Sequence, residues 1–401
     1  MKEKWNTLLA YRIFLLIFTI NTCINIGQQM INTLVPKYAS ALGLAATMVG
    51  IISGMFSFSA LCLRPFANLA FDKFGKKRML QVSAFLMCVT ILLYSLAQNV
   101  AMLFCARILH GVCYGCVAPL CLALAGDSLP DEKLGAGIGI FTLAQAIAQA
   151  IGPGIGLALQ EAIGYAGAFR CGMVIVLVAF VLTFMIPYAQ EEAAAEAKGL
   201  HLRSMFAAEV LGPSVCLFFM AVAQASIVSF LVIYGGLLEV KDVGLYFTVY
   251  AIVLFISRPV AGRLSDKLGF EKVILPGIAC SIGAFLLLGA ASGLGHFIAA
   301  AVLAAFGYGA SQPAIQAMSM KMVSPARRAV GANTNYIFTD LGAILGSYIV
   351  GFVIDLLLPH AAQAAQAYAT AFRVMVIPML LAAVSFLLMA RRTASKEALK
   401  L

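Results

Sequence analysis

Arg64-Pro65-Phe66-Ala67, followed closely by Asp72-Lys73-Phe74-Gly75, returns further along the chain as Arg258-Pro259-Val260-Ala261 and Asp266-Lys267-Leu268-Gly269. The offset is 194 residues for both pieces. The same offset carries Tyr114, Gly115 and Pro119 onto Tyr308, Gly309 and Pro313, then Gly137 onto Gly331 and Gly152 onto Gly346. A constant spacing held over so long a stretch marks a tandem duplication. Whatever fold one half adopts, the other repeats.

Outward from each copy the chain is apolar. A bilayer core takes roughly twenty apolar residues per helix. Twelve windows qualify: 13–34, 48–69, 79–96, 101–124, 136–160, 167–188, 212–238, 243–260, 273–292, 297–320, 330–358 and 371–389. A barrel would show short alternating strands instead. Apolar residues make up 62% of the chain and charged ones 11%, where a soluble domain carries roughly a quarter charged residues. So little polar surface cannot cover a water-soluble globule, and the surplus must face a lipid bilayer. The expected fold is an all-α polytopic membrane protein of twelve transmembrane helices in two six-helix bundles. The first occupies 1–190 and the second 212–401. Between them, 191–211 reads as a polar helical linker carrying Glu191, Glu192, Glu196, Lys198 and Arg203. In parallel repeats of this kind the solute path is expected at the interface of the halves.

The net charge is +10, but the basic residues sit in short runs between apolar stretches, which argues against a nucleic-acid partner. With the N-terminus in the cytoplasm, Lys37, Arg170, Lys241 and Arg373 fall outside and Arg107 within a span. The rest of the 27 Lys and Arg residues lie on cytoplasmic segments or at cytoplasmic helix ends. That bias predicts a multi-pass protein of the cytoplasmic (inner) membrane with both termini inside. Lys2, Lys4 and Arg12 before the apolar run 13–20 look at first like a signal peptide. No small-residue cleavage site follows, so an uncleaved first span is expected. The ten cysteines read as buried small hydrophobes. Cys113 and Cys116 form a C-x-x-C near Cys121, but no histidine pair accompanies them. With no phosphate loop, nucleophile triad or metal-ligand cluster either, no enzymatic activity, cofactor, metal or ATP hydrolysis is expected.

Three motifs carry a family resemblance. The first loop reads Asn68-Leu69-Ala70-Phe71-Asp72-Lys73-Phe74-Gly75-Lys76-Lys77-Arg78, and its duplicate Gly262-Arg263-Leu264-Ser265-Asp266-Lys267-Leu268-Gly269-Phe270-Glu271-Lys272. The fourth span holds Leu103, Arg107, His110 and Gly111, and the fifth Gly139, Ala148, Gly152-Pro153 and Gly156. These resemble the signature loops, the arginine-bearing fourth helix and the antiporter-type fifth helix of the Major Facilitator Superfamily. Departures are Asn68 and Ala70 in the first loop, His110 where glutamine is usual, and Ala148 and Leu157 where the fifth-helix motif has glycine. Over the whole chain the resemblance points to the twelve-span drug/proton antiporters and sugar-efflux permeases. It implies a gating role for Asp72 and Asp266, in loops built with Gly75, Arg78, Gly262 and Gly269. It also implies export, through the pliable contact formed by Gly139, Gly152, Pro153 and Gly156.

Helical spacing collects polar side chains into stripes. Asn21, Asn25, Gln28 and Asn32 share one face of the first span, and Gln145 and Gln149 one face of the fifth. Gln312 and Gln316 stack on the tenth span; Asn333, Tyr336, Asp340 and Ser347 follow one side of the eleventh; Gln224 stands alone on the seventh. They are candidates to line a solute cavity, or to hydrogen-bond helices together. Asp340 lies about 15 Å along its helix and Arg107 about 9 Å into its own. An intramembrane charge reads as functional by default, so Asp340, Arg107 and His110 are the candidates for proton coupling or substrate contact. The competing readings are a capped helix contact for Asp340, carbonyl bonding for Arg107 and a neutral hydrogen-bonded His110. Asp355, nearer the outer end, is expected to reach water. The expected function is proton-coupled efflux of a small organic compound by a monomer. The alternative is a proton-coupled importer or uniporter of a small polar solute.

Overall fold

The computed structural model of the chain describes residues 2–128, 134–187, 207–323 and 328–398. Among them the helices are α1 (Lys2–Ala41), α2 (Ala46–Phe74), α3 (Lys76–Leu96), α4 (Val100–Asp127), α5 (Leu134–Thr183) and α6 (Leu211–Leu237). They continue as α7 (Leu245–Leu268), α8 (Glu271–Gly289), α9 (Leu294–Met322), α10 (Arg328–Leu357), α11 (Ala364–Val374) and α12 (Val376–Ala398). Eleven stretches are long and apolar enough to cross a membrane. One of these, Ala144–Thr183, is 40 residues long, about twice what a bilayer needs. It bends at Gly164, whose φ of 73° and ψ of 175° lie outside the helical region, and so supplies two crossings. Conversely, α11 and α12 share the single stretch Ala364–Ala390. Twelve spans result, matching the twelve apolar windows. Of the expected 191–211 linker, 191–206 lie outside the described residues, and Ala208–Val210 form one 3-10 turn.

Helix α3 shows why these helices belong in lipid. Leu80, Ala84, Met87, Cys88 and Ile91 are buried, while Val82, Phe85, Leu86, Val89 and Leu96 are exposed. Its outward face is therefore as apolar as its inward one. A surface helix of a soluble protein turns a charged face to water; this one turns isoleucine-like surface to hydrocarbon. The same holds on α12, where Ile377, Leu380, Val384 and Leu388 face out and Met379, Ala382 and Phe386 face in. Hydroxyls in the spans bond back to their own helix, as Thr22 does to the Phe18 carbonyl and Ser53 to that of Val49. That keeps polar groups satisfied without water.

The described residues fall into two compact units, one from Met1–Leu42 and Met55–Lys198, the other from Gly43–Gly54 and Gly199–Leu401. In the first, α1 packs chiefly on α5, and α3 on α4 and α5. In the second, α6 packs on α10 and α12, and α9 on α7 and α8. The duplication is visible in detail. Gly75 and Gly269 sit at the same place in the repeated loop with φ of 81° and 88°, a left-handed conformation glycine adopts at little cost. Tyr38 donates a hydrogen bond to the Ala97 carbonyl, and Tyr234 to that of Ala291. These carbonyls lie 194 residues apart at the ends of α3 and α8. Each half thus pins the end of its third span with a tyrosine from its first.

Candidate functional site

Each unit contains its own buried polar cluster. In the first, the stripe on α1 meets α4. Asn25 donates through Nδ2 to the Asn21 carbonyl and side-chain oxygens at 2.8 and 3.0 Å. Its own Oδ1 accepts from the Tyr114 hydroxyl at 3.0 Å. About two turns along, Asn32 Oδ1 accepts from Gln28 Nε2 and from Arg107 Nη2, each at 3.1 Å. Asn21, Asn25, Gln28, Arg107 and His110 are all buried, Arg107 being only 2% exposed. The Arg107 guanidinium carbon stands 4.9 Å from the centre of the Phe56 ring. Phe56 also touches the rings of His110 and Tyr114.

A cation in this setting has unusual company. Among the described residues Arg107 meets an amide, an aromatic face and the neighbours Tyr94 and His110, none of them a carboxylate. Its Nε and Nη1 are buried without a hydrogen-bond partner. Leaving a buried donor unmatched costs about 1–3 kcal/mol, against about 2 kcal/mol from a desolvated cation–π contact. His110 places Nδ1 3.4 Å from the Tyr94 hydroxyl, and its Nε2 is buried without a partner. The cluster thus holds a positive charge among neutral groups, with the Tyr94 phenol alongside the guanidinium.

The second unit builds a different cluster. Tyr308 on α9 stands within electrostatic reach of both Arg258 on α7 and Asp340 on α10. Tyr250 on α7 neighbours Tyr308 and Arg258 and is in hydrogen-bonding contact with Gln224 on α6. Deeper along the same helices, Asn335 Oδ1 accepts from the Ser214 and Ser319 hydroxyls at 2.7 and 3.4 Å. Ser229 and Ser347 meet at 3.2 Å. Here the cation is accompanied by an acid and two phenols.

The remaining sequence candidates are distributed around these clusters. Gln149, Gln312 and Gln316 are partly buried, while Gln145 and Tyr336 are exposed. Gly75 and Gly269 form the turns described above, and Arg78 and Gly262 are exposed. The side chains of Asp72, Asp266 and Asn333, and the surroundings of Gly139, lie outside the described residues. Gly152 and Gly156 bring α5 against α1. A Cβ on Gly152 would lie 2.8 Å from Gln29 Cβ, and one on Gly156 would lie 3.3 Å from Met30 Cα. Pro153 is buried between them.

Several cluster members escape a sequence reading. Arg258 counts there only as half of a repeat and a basic residue at a helix end. Phe56 and Tyr94 do not stand out from apolar windows. The duplication holds the one available signal, since Tyr308 is the copy of Tyr114. Asp355 is partly buried, and its carboxylate accepts backbone hydrogen bonds from Ala46 and Thr47, a structural use.

The Major Facilitator Superfamily model matches twice, over residues 17–242 and 214–400. The chain belongs to the Major Facilitator Superfamily. Among curated relatives, the Multidrug resistance protein MdtG of Proteus mirabilis is 26% identical over 82% of this chain and 85% of its own length. The MdtG of Enterobacter lignolyticus is 27% identical over 63% of the chain and 64% of its own length. An uncharacterized MFS-type transporter of Methanocaldococcus jannaschii is 25% identical over 85% of the chain and 90% of its own length. Among solved structures, a bacterial homolog of the human lysosomal transporter Spinster superposes with a TM-score of 0.79 at 14% identity, covering 96% of this chain and 97% of that one. The nucleoside transporter NupG does so with a TM-score of 0.77 at 12% identity, covering 94% and 99%. Such distant likenesses establish the fold. The superfamily member described here is a multi-pass membrane transporter and not an enzyme.

Proposed function

We propose that the chain is a secondary active transporter that exports a small organic compound in exchange for protons, by alternating access. The observation that carries this reading is a pair of charges within apolar spans, the buried Arg107 in one unit and the partly buried Asp340 in the other. A charge within the bilayer costs at least about 2.5 kcal/mol on insertion scales, so its retention calls for a use. Asp340, within electrostatic reach of Tyr308, is assigned the proton-binding role. Arg107, with its unmatched donors, is assigned contact with an electron-rich group of the solute, and His110 supports it. Asn21, Asn25, Gln28, Gln145, Gln149, Gln224, Gln312, Gln316, Asn333 and Tyr336 are assigned to the solute path.

Export is favoured over import by the Gly139–Gly156 motif and by the relatives named for multidrug resistance. One proton crossing 100 mV supplies about 2.3 kcal/mol, and each pH unit about 1.4 kcal/mol, enough for a hundredfold solute gradient without ATP. In the same reading the duplicated loops gate the cytoplasmic side through Asp72 and Asp266, both termini are cytoplasmic, the membrane is the inner one and the working unit is a monomer. The halves divide as 1–190 and 212–401.

Purified protein in liposomes, given pH gradients of either sign and a panel of small fluorescent organic anions and cations, tests the reading. Exchange predicts dye movement opposite to the proton flow, reversing when the gradient is reversed. Movement in the same direction as protons would establish the importer, and movement indifferent to the gradient the uniporter.

A further inference from the structure

The duplication supplies a control for the Arg107 cluster. At the offset of 194, Tyr94, Arg107 and His110 fall on Leu288, Ala301 and Ala304. All three of these are buried. The ring pair, by contrast, persists, since Phe56 and Tyr114 fall on Tyr250 and Tyr308. Phe56 and Tyr114 have ring centres 5.5 Å apart, and Tyr250 lies within electrostatic reach of Tyr308. The same helices therefore pack with one leucine and two alanines where the first unit carries a phenol, a cation and an imidazole. Packing does not call for those groups, and a charge within a span is costly.

Their hydrogen bonds run in one direction. A guanidinium can only donate. Arg107 donates to Asn32 through Nη2 and is in hydrogen-bonding contact with Tyr94. The Tyr94 oxygen is then the acceptor, which leaves its own proton for His110 Nδ1, 3.4 Å away. A neutral imidazole that accepts at Nδ1 carries its proton on Nε2. Arg107 Nε, Arg107 Nη1 and His110 Nε2 are thus three buried donors without a partner. The unmatched acceptor on α1, Gln28 Oε1, is neutral. Asn32, Phe56 and Tyr114 are only partly buried, so the cluster has an edge that an incoming molecule can reach.

We propose that the first unit binds a small organic anion with an aromatic body. The anionic group takes charge-assisted bonds from Arg107 and a further bond from His110 Nε2. The flat body lies against the rings of Phe56 and Tyr114, as offset or edge-on aromatic pairs do. One negative charge is specified, because a single guanidinium stands among neutral groups. An uncharged or cationic solute would leave that guanidinium without a counter-ion. This anion site rests on the transporter reading for its use, and it names the chemical class of the solute that Arg107 meets.

Equilibrium binding to the full-length protein in nanodiscs, with empty nanodiscs subtracted and no gradient imposed, tests the site. The probes are 2-naphthoate, its neutral isostere 2-naphthamide and the cation 2-naphthylmethylammonium. The unaltered protein should bind naphthoate at least about tenfold more tightly than either of the others. Arg107→Ala should weaken naphthoate about tenfold or more and move naphthamide less than about twofold. Arg107→Lys keeps the charge without the planar fork and should restore part of the preference. Phe56→Ala should weaken acid and amide by the same factor. Equal affinity for the three probes in the unaltered protein, or a preference for the cation, would overturn the site whether or not any variant folds. A naphthoate preference that survives in Arg107→Ala, or a loss shared equally by acid and amide, would overturn it too and make Arg107 structural. If naphthoate is preferred but liposomes show no exchange with protons, the coupling falls and the anion site remains. If protons drive export of other dyes while naphthoate is not preferred, the exporter remains and the anion site falls.

Discussion

The two buried clusters occupy duplicated halves yet solve different electrostatic problems. Around Arg107 the partners are an amide and an aromatic ring, flanked by an imidazole and a phenol, and two guanidinium nitrogens are unmatched. In the second cluster Asp340 and Arg258 both lie within electrostatic reach of the Tyr308 phenol. The first cluster therefore holds a cation among neutral groups, and the second holds a cation and an acid that both act on one phenol; each has a guanidinium nitrogen without a hydrogen-bond partner. A duplication begins with equal halves, so the difference arose after it. A surplus cation suits attraction of an electron-rich group.

The largest expected effect breaks the first cluster. Arg107→Ala should lower transport about a hundredfold, equivalent to ~2.7 kcal/mol, in protein that reaches the membrane at its normal level. Arg107→Lys keeps the charge but loses the planar fork and should recover only part of the rate. Activity equal to the parent in the alanine variant would reduce Arg107 to a packing residue and remove the contrast between the clusters.

Breaking the second cluster should give a different kind of defect. Asp340→Asn preserves shape but cannot exchange a proton, so uphill accumulation driven by a pH gradient should fall about tenfold or more, by about 1.4 kcal/mol. Counterflow of labelled solute, which needs no net driving force, should survive. If Asp340→Asn still concentrates solute and still responds to pH, coupling lies elsewhere, with His110 or Glu161 next to be examined. A smaller effect is expected from Asp72→Asn in the repeated loop. It should slow turnover severalfold with little change in half-saturation; weaker binding at an unchanged maximal rate would move Asp72 from gating to the solute path.

What could be read from the sequence follows the physics that each feature depends on. Span number and duplication depend on long-range apolar composition, and both are present in the fold. The stripe of Asn21, Asn25, Gln28 and Asn32 depends on helical periodicity, and all four members are joined to one another or to α4 as that spacing allows. Periodicity says which residues share a face but not what the face meets. Gln145 and Gln149 share theirs, yet one is exposed and the other partly buried. Arg258 was hidden because a basic residue near a helix end satisfies a topology rule on its own. Asp355 was hidden because its partners are backbone amides, which no side-chain pattern records. Phe56 and Tyr94 matter through their positions around one guanidinium, and such positions exist only after α2, α3 and α4 have packed.

The smallest expected effect makes the sharpest comparison, because it uses the duplication itself. Tyr114 and Tyr308 occupy equivalent positions, one in each cluster. In the first, the Tyr114 hydroxyl donates to Asn25, a neutral acceptor that is also tied to Asn21. Tyr114→Phe therefore removes one neutral hydrogen bond, worth about 0.5–1.5 kcal/mol. It should lower thermal stability slightly and leave the pH response of transport unchanged. In the second, Tyr308 lies within electrostatic reach of both Arg258 and Asp340. Tyr308→Phe should alter how transport depends on pH, because the phenol interacts unequally with the charged and neutral forms of the carboxylate. Paired pH profiles of the two variants in liposomes separate these cases. Equal and pH-independent losses from both would show that the halves use their tyrosines alike, and that the charge difference between the clusters plays no part in coupling.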